Sequence, residues 1–180
     1  FSSQYEQAPS PLGGGIFKEN WWKFYDKLPA KITTIRIYAD TAQKTGEHND
    51  YSVFQCWGYV NGKIYLIDQI RGKWEAPELQ SQCQAFWLKH SEAVWSGAHR
   101  LRPAASMLMV EDKSSGSSLI QFIHSTPQIP VQGIQRDRDK VSRAMGATGF
   151  VAAGQVLLPK KDSCDWIEDY LKEFTSFTPL

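Results

Sequence analysis

Isoleucine, valine, tyrosine and phenylalanine crowd three early segments of the chain, 32–40, 51–60 and 63–71, the composition of β-strands. Only Asn61-Gly62 separates the second from the third. That dipeptide is the strongest short hairpin signal, because both residues accept the positive φ of a tight turn, so strands two and three are expected to be antiparallel. Beyond Pro77 the pattern changes. Leu79, Cys83, Phe86, Trp87 and Val94 recur at helix-like spacing, with the proline suited to a first turn. A short apolar strand is predicted at 107–110, a small-residue turn at 114–117 and the start of a helix at 119–124. A strand at 129–135, a helix over 138–148, a short edge strand ending at Pro159 and an amphipathic helix over 163–174 complete the chain. Three meandering strands followed by alternating α and β indicate an α/β fold with a mixed sheet and helices on its faces.

The first thirty residues lack any sustained period and carry Pro9, Pro11, Pro29 and the run Gly13-Gly14-Gly15, which reads as an arm or linker. Its aromatic residues Phe17, Trp21, Trp22, Phe24 and Tyr25 would be costly to leave wet. They are expected to pack on the domain or on a neighbour. The division is therefore 1–30 as arm and 31–180 as one folded domain, a size at which a single core buries roughly 70% of the unfolded surface.

Of the 180 residues, 42% are hydrophobic and 22% charged, with a net charge of +1, which argues against wholesale disorder. It says nothing for or against nucleic acid, since a local basic patch can be balanced elsewhere. Cys56, Cys83 and Cys164 form no CxxC pair and no disulfide framework, so a reducing compartment fits best. No apolar run approaches the roughly 18 residues of a membrane span, and no signal-peptide pattern opens the chain. We expect a cytosolic protein, and the start at Phe1 suggests a fragment.

Two acids stand where chemistry would sit. Strand one ends in Asp40 and the first strand after the crossover helix ends in Glu111. If those strands are parallel neighbours, both carboxylates emerge at one edge of the sheet. Hard oxygen ligands there suit Mg²⁺ or Mn²⁺; the alternative is that each acid only caps a strand end in solvent. His48, His90, His99 and His124 have no zinc-ligand spacing. No G-x-x-x-x-G-K-[ST] phosphate loop is present, and S-S-G-S-S after Glu111 reads as a turn into a helix.

Several segments, in order, resemble the C-terminal nuclease domain of tailed-bacteriophage large terminase subunits. F-S-S-Q-Y-E-Q-A-P, G-G-G-I-F-K and Trp21-Trp22 are similar to the family's connection from its ATPase domain. Y-A-D-T-A with N-D-Y-S resembles its first acidic motif, and V-E-D-K-S-S-G its second. A-A-G-Q-V-L-L-P and the 166–174 helix with F-T-S-F-T-P resemble the stretch before its third. The resemblance implies a ribonuclease-H-like fold and endonucleolytic cutting of concatemeric viral DNA with two Mg²⁺ or Mn²⁺ ions, roughly 3.5–4 Å apart.

Carried over by residue, Asp40 and Glu111 match the first two metal-binding acids. Asp50 either binds metal through water or caps strand two. Asp112 should face away from Glu111. Lys113 either meets a phosphate or is solvated, and Lys140 and Arg143, one helical turn apart, either grip the DNA backbone or form a solvated face. The resemblance places the family's third acidic motif beyond Pro179-Leu180, outside this sequence, so weak metal binding and poor or no cutting by this fragment alone are expected. Asp162, Asp165 and Asp169 should cover a solvent-facing helix side. The implied partners are double-stranded DNA, an N-terminal ATPase domain, a small terminase subunit and a portal, with no membrane, in the cytoplasm of an infected or lysogenic bacterial host. The rival readings are a ribonuclease-H-like resolvase or transposase core, and a non-catalytic docking module of a packaging motor.

Overall fold

A computed structural model describes residues 15–42, 50–126 and 128–179. Its strands are β1 (Lys23–Tyr25), β2 (Thr34–Asp40), β3 (Ser52–Val60), β4 (Lys63–Gly72), β5 (Val94–Ser96), β6 (His99–Arg102), β7 (Ala105–Glu111), β8 (Val131–Ile134) and β9 (Val156–Pro159). The helices are α1 (Ala76–His90), α2 (Ser115–His124), α3 (Lys140–Ala152) and α4 (Ile167–Ser176). Seven strands form one sheet in the order β1-β9-β4-β3-β2-β7-β8, and β5 with β6 forms a separate hairpin. The β2-β3 and β3-β4 pairs are antiparallel. The β2-β7, β7-β8, β4-β9 and β1-β9 pairs are parallel, so the expected mixed sheet is present.

The Asn61-Gly62 turn forms as its chemistry dictates, with φ of 50° and 75°, the left-handed values of a tight hairpin. In β2, Ile35, Ile37 and Ala39 join Phe54, Cys56, Leu108 and Val110 in a core closed by Leu79, Cys83 and Phe86 of α1 and Leu119 and Ile123 of α2. Each such side chain taken fully out of water contributes about 1.5–3 kcal/mol. Strand alternation then turns Arg36, Tyr38 and Asp40 to the opposite face. There a second core gathers Leu66, Val156 and Leu158 of the sheet under Val151 of α3 and Ile167 and Tyr170 of α4. Helices therefore cover both faces.

Ile16, Phe17, Trp21 and Trp22 are built into this second core, while Phe24 stays exposed and Tyr25 packs against the first core. Phe17 and Trp22 are buried, and both rings lie against Phe174 of α4, at 5.1 and 5.4 Å between centroids. The Ile16 amide donates to the Phe177 carbonyl at 3.0 Å. Residues 23–25 add a strand to the sheet, although nothing in their pattern marks one. That strand corrects a second expectation: β9 is not an edge strand but lies between β1 and β4. Pro159 is tolerated because it is the last residue of β9, and the next residue, Lys160, donates its amide to Tyr25 at 3.2 Å. The β5-β6 hairpin was also unforeseen; Trp95 and Leu101 on it are exposed, so no burial period betrays it.

Candidate active site

The parallel pairing of β2 with β7 sets Ala39 opposite Val110, so Asp40 and Glu111 leave the same edge of the sheet from adjacent strands. Local contacts hold that edge. The Ala42 amide donates to the Ser52 hydroxyl at 2.9 Å, and the Ser115 hydroxyl donates to the Thr41 carbonyl at 3.1 Å. Gly116 lies so close under β7 that a Cβ there would collide with the Glu111 carbonyl oxygen. S-S-G-S-S is not a turn ahead of the helix: beyond Ser114 it is itself the first turn of α2, and its glycine permits the close approach.

Asp40, Asp50, Glu111, Lys113, Lys140 and Arg143 all border one cavity of about 600 Å³. A trough of about 690 Å³ runs from the same acids across the sheet. Burial, and then the Glu111 carboxylate, raise the Asp40 pKa above the ordinary carboxylate value; Arg143 and Lys140 oppose the rise and Asp50 adds to it. Glu111 receives Arg143 Nη1 at 3.5 Å and Arg136 Nε at 3.9 Å on the same oxygen. These are charge contacts rather than tight hydrogen bonds, and both arginines are partly solvated. Asp112 faces the other way, accepting from the Ser117 hydroxyl at 2.7 Å and the Gln135 amide at 3.2 Å.

Lys140 opens α3, with its Nζ 5.4 Å from the Phe177 ring centre. Asp139 caps the helix, accepting from the Ser142 amide at 2.9 Å, and so fixes where Lys140 and Arg143 project. Among the C-terminal acids, Asp169 pairs with Lys172 at 3.7 Å on α4, and neither Asp162, Asp165 nor Asp169 borders the cavity. Among the described residues no group of three or more His, Cys, Asp or Glu is placed to hold a metal ion. His48 lies outside the described residues. His90 is buried and bonds Asp68 at 2.8 Å.

Sequence reasoning missed four residues of this region: Tyr51, Arg71, Arg136 and Glu173. Arg71 had a signal. Counting outward from the Asn61-Gly62 turn brings the end of β4 beside the start of β3, and Arg71 pairs with Val53, which pairs with Asp40. Glu173 had none, because only the docking of α4 brings it there.

A model of the terminase RNaseH-like domain matches residues 37–179. The chain belongs to the terminase RNaseH-like domain family. Its fold is similar to that of the large terminase nuclease of the thermophilic phage G20c with bound magnesium, at TM-score 0.61 and 12% identity over 92% of this chain and 81% of that one. It is equally similar to the human cytomegalovirus terminase nuclease domain, manganese-soaked and inhibitor-bound, at TM-score 0.61 and 14% identity over 87% and 85%. The large terminase of the thermophilic bacteriophage D6E matches at TM-score 0.61 and 13% identity over 91% of this chain, which spans 37% of that protein's length. No curated relative matches in sequence. In terminase terms the mixed sheet is the ribonuclease-H-like core.

Proposed function

We propose that this chain is the nuclease domain of a genome-packaging motor, hydrolysing phosphodiester bonds of double-stranded DNA with Mg²⁺ or Mn²⁺ held by Asp40 and Glu111. The observation that carries the reading is the convergence of these two acids from adjacent parallel strands on a cavity rimmed by Lys113, Lys140 and Arg143. Bound magnesium in the G20c nuclease and the manganese soak of the cytomegalovirus domain support divalent ions as the class.

The donor set fits such an ion. Asp40 is a carboxylate whose pKa is raised, and Glu111 is met only at charge-contact range by its two arginines. Mg²⁺ is commonly held by one or two carboxylates, with waters and phosphate oxygens filling the shell. When bound, the metal would activate water and stabilise the leaving oxygen. The protein's own part is to hold Asp40 and Glu111 on a rigid sheet edge, and to neutralise backbone phosphates with Lys113, Lys140 and Arg143. Asp50 either orients a metal-bound water or caps the approach to β3. Such backbone contacts favour binding without base readout. Beyond this domain the reading extends to an N-terminal ATPase domain in the same polypeptide, a small terminase subunit and portal as partners, and the bacterial host cytoplasm as the place of action. Among the described residues no helix is long and apolar enough to cross a membrane.

Nicking of supercoiled plasmid in Mn²⁺ by the parent protein, with calorimetric Mn²⁺ titration alongside, tests the reading. Asp40→Ala and Glu111→Ala should each lower cutting by about 10²–10³-fold, the scale for losing one group that acts on developing charge, and should weaken Mn²⁺ binding. Equal cutting by wild type and Asp40→Ala would remove the site assignment.

A further inference from the structure

Asp40, Val53 and Arg71 stand in one cross-strand row over β2, β3 and β4, so their side chains share the sheet face along which the trough runs. Two strand spacings put Arg71 on the order of 10 Å from Asp40, about three nucleotides' rise along a DNA strand. Its guanidinium carbon lies 3.9 Å from the centre of the Tyr51 ring, and Lys73 Nζ lies 4.9 Å from the same ring. An aromatic face fixes the plane of a guanidinium and leaves its edge to meet an anion bidentately. Arg71 and Tyr51 border the cavity, and a guanidinium whose plane is set by that ring makes a place for negative charge there.

Glu173 now takes part of that place. It reaches from α4 to Arg71 Nη1 at 3.4 Å and borders both the cavity and the trough. Its position is built, since α4 is anchored by Tyr170 in the second core and by the rings of Phe17 and Trp22 against Phe174. The pair itself is open to water, with side chains 33% and 59% exposed. An ion pair so exposed contributes little to folding, so a competing anion displaces it easily.

We propose that Arg71, planed by Tyr51, is a subsite for a phosphodiester of the DNA backbone, and that Glu173 occupies it until DNA arrives. The inference rests on the nuclease reading and adds to it a regulated entry: Glu173 holds Arg71 until a phosphate takes it over. α4 thereby screens the site from weakly held anions, while a duplex that also engages Lys140 and Arg143 has enough contacts to displace Glu173.

The test is fluorescence anisotropy of a labelled DNA duplex titrated with this chain in metal-free buffer, over a range of salt, with circular dichroism to confirm that each variant folds. Glu173→Gln should bind about 2- to 5-fold more tightly than wild type at low salt, the range of an exposed ion pair. Arg71→Gln should bind more weakly, its slope of log affinity against log salt shallower by about 1. In the Arg71→Gln background Glu173→Gln should add nothing. Asp169→Asn, which removes a charge from the same helix away from Arg71, should leave affinity unchanged. An equal gain with and without Arg71, or the same gain from Asp169→Asn, reduces the effect to bulk charge and overturns the subsite. Wild type that binds with no response to Glu173→Gln overturns the displacement alone. Wild type that fails to bind DNA at any salt overturns the nuclease reading and this inference with it.

Discussion

Asp40 and Asp68 are both acids on strands of one sheet, the first exposed and the second part-buried, and their surroundings push them in opposite directions. Asp68, on β4, is opposed by burial, yet hydrogen bonds from His90 at 2.8 Å and Lys89 at 2.7 Å outweigh it and lower its pKa. Asp40, on β2, has burial and the carboxylate of Glu111 acting together, and its pKa rises. The first is an acid completed by its own fold. The second is held among like charges with cations only at a distance, the condition under which a carboxylate gains from an external cation. The contrast marks Asp68 as an acid satisfied by its own fold and supports the role proposed for Asp40, where sequence alone shows two aspartates in two strands.

The largest effect that would sharpen this contrast is on folding. Asp68→Ala should cost about 3 kcal/mol in urea unfolding, because it leaves His90 buried without its partner, while plasmid nicking by the folded fraction stays intact. A loss of nicking with unchanged stability would reverse the two roles. The Asp68 contribution, coming from a depressed folded pKa, is fully present above the unfolded value of about 3.9 and is lost as pH falls through the folded one.

Next in size is the glycine beneath the Glu111 edge. Gly116→Ala forces a methyl against the Glu111 carbonyl and should cost about 1–3 kcal/mol as overpacking. It should also weaken Mn²⁺ binding in calorimetry, since the strand end must shift. Unchanged metal affinity at reduced stability would show that the edge tolerates movement.

The smallest effect belongs to Asp40 itself. In metal-free buffer Asp40→Asn should leave stability unchanged or raise it by up to about 1 kcal/mol at neutral pH, since one lost charge relieves its neighbours. The sign follows from the raised pKa: wild type is handicapped above its folded value, and the handicap fades as pH falls through that value toward the unfolded one. Thermal melts of the two proteins should therefore converge in acid. A variant less stable than wild type at neutral pH would mean that Asp40, like Asp68, is a structural acid.

Much of the sheet was legible because its signals are local. Asn61-Gly62 specifies a hairpin through the dihedral preferences of two residues, and Pro77 with the spacing of Leu79, Cys83, Phe86 and Trp87 specifies α1. The ends of the two acid-bearing strands followed from short uncharged runs closing in Asp40 and Glu111. The helix read at 138–148 and the one at 163–174 were displaced, to Lys140–Ala152 and Ile167–Ser176, because caps and packing rather than composition set helix ends. Where two remote segments had to meet, the pattern was silent. β1 exists because Lys23–Tyr25 pair with β9, and a three-residue strand has no period to display.

By itself, then, the chain's sequence determined the mixed α/β order, the central hairpin and that Asp40 and Glu111 each end a strand, because turn dihedrals and hydrophobic period act within a few residues; that those strands are neighbours was left to the tertiary structure. Only the tertiary structure decided that Phe17, Trp21 and Trp22 join the second core, that β9 lies inside the sheet, and that Arg71, Arg143 and Glu173 meet over Asp40 and Glu111. Those outcomes depend on docking surfaces contributed by segments from about thirty to more than a hundred residues apart, and on charges whose meaning is set by what they face rather than by their neighbours along the chain.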